Sequence, residues 1–241
     1  MKIRYILTAL LTMYLCNIYA QSTGKKDTLF LLREKRPTGY HTVFIDTNPA
    51  SRYYKAISDF SFTGDDKKIY ASTLAIVKDK RLTRFTSKAF PRKWIKVYQY
   101  QKKFYVYYPS DFMSHYMVRV TDSTYIDYYG EGPLANRIIS FKRVDSSTYH
   151  FKLKSPYTGI HQIVVHIIDP KKGIAVFEES AETGETYCHL MVTADKVRVL
   201  PIIVNYSPDQ KEEEFDFGEQ ECGELAEPKP GHRRVGGVSF R

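Results

Sequence analysis

Patterns that carry chemistry by themselves are missing from this sequence. It has no His-x-His, HExxH or CxxC spacing for a metal, no GxSxG elbow for a nucleophile and no glycine-rich loop for a phosphate. Cysteine is scarce, with three in 241 residues, which excludes a disulfide-dense scaffold. Only one tryptophan is present. The apolar run from Tyr5 to Leu15 covers about eleven residues, where a membrane-spanning helix needs roughly twenty. No stretch keeps a 3.6-residue apolar period over the ten or more residues a helix would need, so any helix should be short, with Asn48–Ala56 the favoured place. Catalytic residues, metal ligands and cofactors are therefore expected to be none.

The N-terminus does have a pattern. Lys2 and Arg4 precede the short apolar run, and Ile18-Tyr19-Ala20 offers a small residue for cleavage before Gln21. Residues 1–20 read as a secretory signal, which makes the expected location periplasmic or extracellular and the mature chain not membrane-spanning. Loss of Cys16 leaves Cys188 and Cys222, an even pair that an oxidising compartment can bridge. Strand alternation gives Cys188 another reading, as a small buried hydrophobe beside Leu190 and Val192.

The charge is unevenly placed. The net value is +9, yet residues 21–206 hold 29 basic and 18 acidic side chains, and residues 207–227 hold one basic and nine acidic. A basic body carries an acidic extension, and the extension, 207–241, has few β-branched residues and several Pro and Gly. Such a composition predicts a flexible tail unless Cys222 pins it.

Between those ends the chain is a series of short Tyr-, Val-, Ile- and Thr-rich runs bounded by turn residues. The runs predict strands, among them Thr28–Arg33, Tyr54–Phe62, Lys68–Lys78, Leu82–Thr86, Trp94–Tyr100, Phe104–Tyr108 and Val197–Val204. Links such as Asp169-Pro170-Lys171-Lys172-Gly173 and Glu182-Thr183-Gly184-Glu185 suit antiparallel neighbours and are too short for parallel crossovers. Residues 21–206 are thus expected to form one all-β domain, an antiparallel meander closed as a barrel or folded as a sandwich. With runs such as Ile139-Ser140-Phe141-Lys142-Arg143-Val144-Asp145, the meander is similar in a general way to secreted lipocalin-like barrels, a likeness of fold alone.

Binding chemistry is best represented by an aromatic and basic hairpin. Alternation puts Trp94, Lys96, Tyr98 and Tyr100 on one face, and a connection at Gln101–Phe104 would oppose Tyr100 to Tyr105 and Tyr98 to Tyr107. Rings beside ammonium groups suit a glycan, a lipid headgroup or another anionic partner, and they also stabilise a sheet by cross-strand pairing. Export argues against nucleic acid. Asp127 and Glu131, beside Tyr128, Tyr129 and the Gly130–Pro133 loop, form a weaker candidate, the rim of a glycosidase-like site. His161 and His166 lie five apart, on opposite strand faces, and so cannot share a metal. The reading is a non-enzymatic binding protein, with an envelope protein that binds partners as the first alternative and a glycan hydrolase as the second.

Overall fold

The structure is a computed structural model that describes residues 28–78, 84, 90–181, 184–208 and 210–218. The expected cleavage site, the Leu82–Thr86 strand apart from Arg84, and Cys222 lie outside these residues.

The strands are β1 (Thr28–Arg36), β2 (Gly39–Asp46), β3 (Lys93–Tyr100), β4 (Lys103–Tyr108), β5 (Met117–Val120), β6 (Thr124–Tyr129), β7 (Gly132–Arg143), β8 (Thr148–Ser155), β9 (Gly159–Asp169), β10 (Ile174–Ala181), β11 (Thr186–Thr193) and β12 (Ile202–Tyr206). Strands β5 to β11 pair antiparallel in chain order. β3 closes the ring, since its first half pairs with β5 and its Trp94–Val97 segment with β11. The result is a closed eight-stranded antiparallel barrel. The second half of β3 leaves the barrel and pairs with β4 instead, and β12, β2 and β1 extend that outer sheet. Only the β4–β12 pairing is parallel among the described strands.

Alternation then divides the apolar residues among three cores. Side chains from all eight barrel strands fill the interior, with Trp94, Phe151, Phe177 and Met191 among them, and Phe90 inserts from the segment before β3. The outer wall, with Ile95, Val97, Ile126, Val176 and Leu190, is covered by Tyr54, Ile57 and Phe60. A third cluster, Val43, Ile45, Tyr105, Tyr107 and Ile203, lies on the far face of the outer sheet.

Two expected strands are helical. The Tyr54–Phe62 run begins as α1 (Tyr53–Ile57), and the Lys68–Lys78 run lies within α2 (Gly64–Val77). In α2 local capping outweighs the weak apolar period. The Thr63 hydroxyl accepts from the Asp66 amide at 3.1 Å, and the Asp66 carboxylate accepts from the Thr63 amide at 2.8 Å. With Asp65 also in the first turn, the helix starts from a satisfied, dipole-matched end. Only Thr73 and Val77 are fully buried, so few core positions were available to show a period. Thr63→Ala should cost about 1 kcal/mol. A urea midpoint unchanged by that substitution would show that tertiary packing alone holds α2. The Val197–Val204 run is also divided, into a 3₁₀ turn at Ala194–Val199 followed by β12.

The β3–β4 turn is shorter than expected. Gln101 and Lys102 both have positive φ, 49° and 61°, the conformation of a two-residue type I′ turn. The register is therefore Tyr98 opposite Tyr105 and Tyr100 opposite Lys103. The expected ring pairs meet as diagonal neighbours, with Tyr98 and Tyr107 centroids at 5.6 Å and Tyr100 and Tyr105 at 6.3 Å.

Candidate functional site

Three places gather the polar chemistry. The first is a cleft of about 570 Å³ at the end of the barrel that carries the 144–147 and 170–173 turns. Trp94, Tyr149 and Ile167 contribute its apolar floor, and Arg92, Lys93 and Lys196 its rim. The Trp94 indole is fully buried, donates from Nε1 to the Pro91 carbonyl at 2.7 Å and packs against Phe90 and Phe177 at 5.6 and 5.0 Å. Gly173 brings two chains close here: at its φ of +71°, a Cβ would lie 2.5 Å from Thr193 Oγ1. The Thr193 hydroxyl, on the cleft wall, is buried without a hydrogen-bond partner. Arg92 pairs with Asp122 at 2.6 Å, and Lys196 donates to the carbonyls of Pro170 and Lys171 at 2.8 and 3.0 Å, so the rim cations are held in place. A smaller hollow of about 260 Å³ adjoins it, sharing Arg92 and Lys93 and adding Arg119.

The second place is the opposite end of the barrel interior. Asp127 points inward and does not form a rim. Its Oδ1 accepts from the Tyr116 hydroxyl and its Oδ2 from Asn136 Nδ2, both at 2.6 Å. Burial raises its carboxyl to about 7, with Glu179 adding to the rise and the two hydrogen bonds opposing it. His161 Nε2 lies 3.6 Å from Glu179, and the His189 ring lies 5.0 Å from that of Tyr116. Burial, and then the charge of Lys96, push His189 down to about 4. Lys96 itself is lowered by burial, with Nζ 4.9 Å from the Tyr98 ring centre. His166 faces the other way, toward Glu178, as alternation requires. Among the described residues, no group of three or more His, Cys, Asp or Glu could hold a metal.

The third place is the outer sheet. Of the six hairpin residues, the structure gathers Tyr98, Tyr100, Tyr105 and Tyr107 into one aromatic surface, keeps the Lys96 ammonium against the Tyr98 ring at its margin and separates Trp94 from them. Trp94 is the cleft floor, and Lys96 sits between the barrel end and the surface. The aromatic surface is already covered by the first part of the acidic extension. Phe217 stacks on Tyr98 at 4.2 Å, and Phe215 meets Tyr100 edge-on at 5.3 Å. Residues 210–218, the described start of the extension after Ser207 and Pro208, thus pack against the body. Composition could not show this, because the acids are satisfied by distant donors: Arg36 pairs with Glu212 at 3.0 Å, and Glu214 accepts from the Tyr107 hydroxyl at 2.6 Å.

Cys188 is disulfide-bonded, and its partner lies outside the described residues. Asn205 is fully buried, and its Nδ2 donates to Tyr107 Oη and to the Glu213 carbonyl at 3.1 and 2.9 Å. The signal for this strap was the Phe215-Asp216-Phe217 alternation following the acidic run, which sequence reasoning passed over. Among the described residues no helix is long and apolar enough to cross a membrane. Compared with protein-family models, with curated proteins and with solved structures, the chain matches none.

Proposed function

We propose that the protein is an exported, non-catalytic β-barrel that binds a small anionic or sugar-like ligand in the cleft at the 144–147 and 170–173 end. The observation that carries this reading is the buried, unpartnered Thr193 hydroxyl on the wall of a roughly 570 Å³ cleft with an indole and a phenol ring in its floor. A buried hydroxyl without a partner costs about 1–3 kcal/mol, a cost that a ligand hydroxyl or carboxylate relieves. Arg92, Lys93 and Lys196 outnumber Asp195, the one carboxylate of the lining, and so favour a negatively charged ligand. The disulfide at Cys188 supports an oxidising destination and so agrees with the N-terminal signal pattern. Catalysis is disfavoured because Asp127, the one carboxyl raised near neutrality among the described residues, has both oxygens committed to Tyr116 and Asn136.

Trp94 is the only tryptophan in the chain, so its emission reports on the cleft. Titration with glucuronate, sialic acid, glycerol phosphate and uncharged sugars should change that emission for at least one anion. Thr193→Val should weaken the response several-fold while leaving the free protein as stable or about 1 kcal/mol more so, because the orphaned hydroxyl is gone. A Thr193→Val protein that is clearly destabilised, or a panel without any saturable response, would refute the proposal. Edge strand β1 favours a second reading, a partner-binding envelope protein, because Leu29 and Phe30 are exposed on it. Capture of a partner that Leu29→Lys abolishes, with no ligand response at Trp94, would select that reading.

A further inference from the structure

The outer sheet holds segment Glu212–Phe217 in the manner of a bound peptide. Among the described residues this segment forms no ladder with any strand; side chains on and beside the sheet hold its backbone instead. Ser110 Oγ accepts from the Glu212 amide at 2.8 Å, Asn205 Nδ2 donates to the Glu213 carbonyl at 2.9 Å, and Tyr107 Oη accepts from the Phe215 amide at 2.9 Å. Glu214 then enters a small anion site: besides Tyr107 Oη at 2.6 Å, the main-chain amides of Ser110 and Asp111 donate to its two oxygens at 3.2 and 2.6 Å. Two amides and a hydroxyl converging on one carboxylate recognise charge and position together. Arg36 forks onto Glu212 with Nε and Nη2 at 3.3 and 3.0 Å, and Phe215 and Phe217 fill the spaces beside Tyr98, Tyr100 and Tyr107. Tyr105, Tyr107, Ile203 and Asn205 are buried beneath the segment and form its floor. What is read is a pattern: an acid, a second acid two residues on, an aromatic next to it, and another aromatic two further on.

We propose that this face is a peptide-recognition surface for a partner segment of that pattern, and that the chain's own Glu212–Phe217 is its intramolecular competitor. The argument rests on the occupant seen in place, and it is independent of the cleft at the barrel end. A tethered occupant acts at an effective concentration of about a millimolar, so an external segment gains the site only when the strap is weakened or when its own affinity is high.

The test uses the full chain carrying Glu214→Ala, Phe215→Ala and Phe217→Ala, with a fluorescein-labelled synthetic peptide of residues 210–218 as the probe. The peptide should bind the variant at least tenfold more tightly than it binds the unaltered protein. Alanine at the Glu214 position of the peptide should lose that gain. A variant with native Trp94 emission and native dichroism that binds the peptide no better than one of scrambled order would overturn the proposal. Should the variant fail to fold, the unaltered protein is measured by hydrogen exchange with the peptide at several millimolar. Faster exchange at the Phe215 amide would uphold displacement, and unchanged exchange would overturn it.

Discussion

Trp94→Ala is expected to destabilise the protein by about 3–5 kcal/mol, the range for removing a large aromatic from a closed core. The indole is fully buried at the point where β3 holds the barrel shut, between its partners Val118 on β5 and Thr193 on β11. Its removal deletes the contacts with Phe90 and Phe177 and leaves the Pro91 carbonyl without its donor. Phe90 is held by four rings, Trp94, Phe141, Tyr149 and Phe151, at 5.0–5.9 Å, so the loss also loosens the residue that fills this end of the barrel. Against a total stability of roughly 5–15 kcal/mol, such a loss is a large fraction. Trp94→Phe keeps most of the volume and should cost about 1–3 kcal/mol, mostly the hydrogen bond and the unfilled edge. Urea unfolding followed by far-ultraviolet dichroism measures both. A loss below about 1 kcal/mol for Trp94→Ala would mean that closure does not depend on this contact.

The same residue shows what the sequence made legible. Alternation correctly placed Trp94, Lys96, Tyr98 and Tyr100 on one face of β3, because a strand fixes side-chain direction by itself. It could not show that this face is the barrel interior at Trp94 and an open sheet at Tyr98. That difference arises because β3 exchanges β5 for β4 halfway along, a pairing between distant segments that no local pattern encodes. The turn register had a local cause, but it depended on Gln101 and Lys102 adopting positive φ, which neither residue type advertises. Most strands were readable because their turns are rich in Gly, Pro, Asp and Ser. α2 was missed because its determinants sit in the Thr63–Asp66 cap and not in its buried face. Asp127 was visible only as a carboxylate near a loop; its role depends on β6 sending Tyr125 and Asp127 inward, which follows from barrel closure. The strap shows the limit of composition, since nine acids in residues 207–227 suggest solvation until Arg36, Tyr107 and the Ser110–Asp111 amides are brought to them.

Asp127→Asn is expected to change how stability depends on pH, and the direction is fixed by two neighbours with opposite behaviour. In the folded chain Asp127 holds its proton up to about 7, against an ordinary value of 3.8. Its contribution is therefore greatest below about pH 4, declines as the unfolded chain ionises and is lost once pH passes about 7. His189, lowered from 6.5 to about 4, behaves in the other sense: its contribution is complete above 6.5 and is lost as pH falls toward 4. Each slope is about 1.4 kcal/mol per pH unit, so between pH 4 and 6.5 the two offset one another in the unaltered protein. Asparagine at 127 still accepts from the Tyr116 hydroxyl, and if Asn136 turns its amide over, its Oδ1, which has no partner at present, accepts from the new amide in exchange for the long 3.3 Å donation to the Tyr125 carbonyl. With the carboxyl gone, the His189 slope stands alone, and the variant should lose about 1.4 kcal/mol per unit on acidification from 6.5 toward 4. Above pH 7 it should exceed the unaltered protein by on the order of 2 kcal/mol, because no buried carboxylate remains to be charged. Asp127→Asn combined with His189→Gln should be nearly flat across the same window. Urea midpoints at pH 4.5, 5.5, 6.5 and 8 distinguish these outcomes, and an Asp127→Asn protein less stable at pH 8 would show that Tyr116 and Asn136 hold the ionised form.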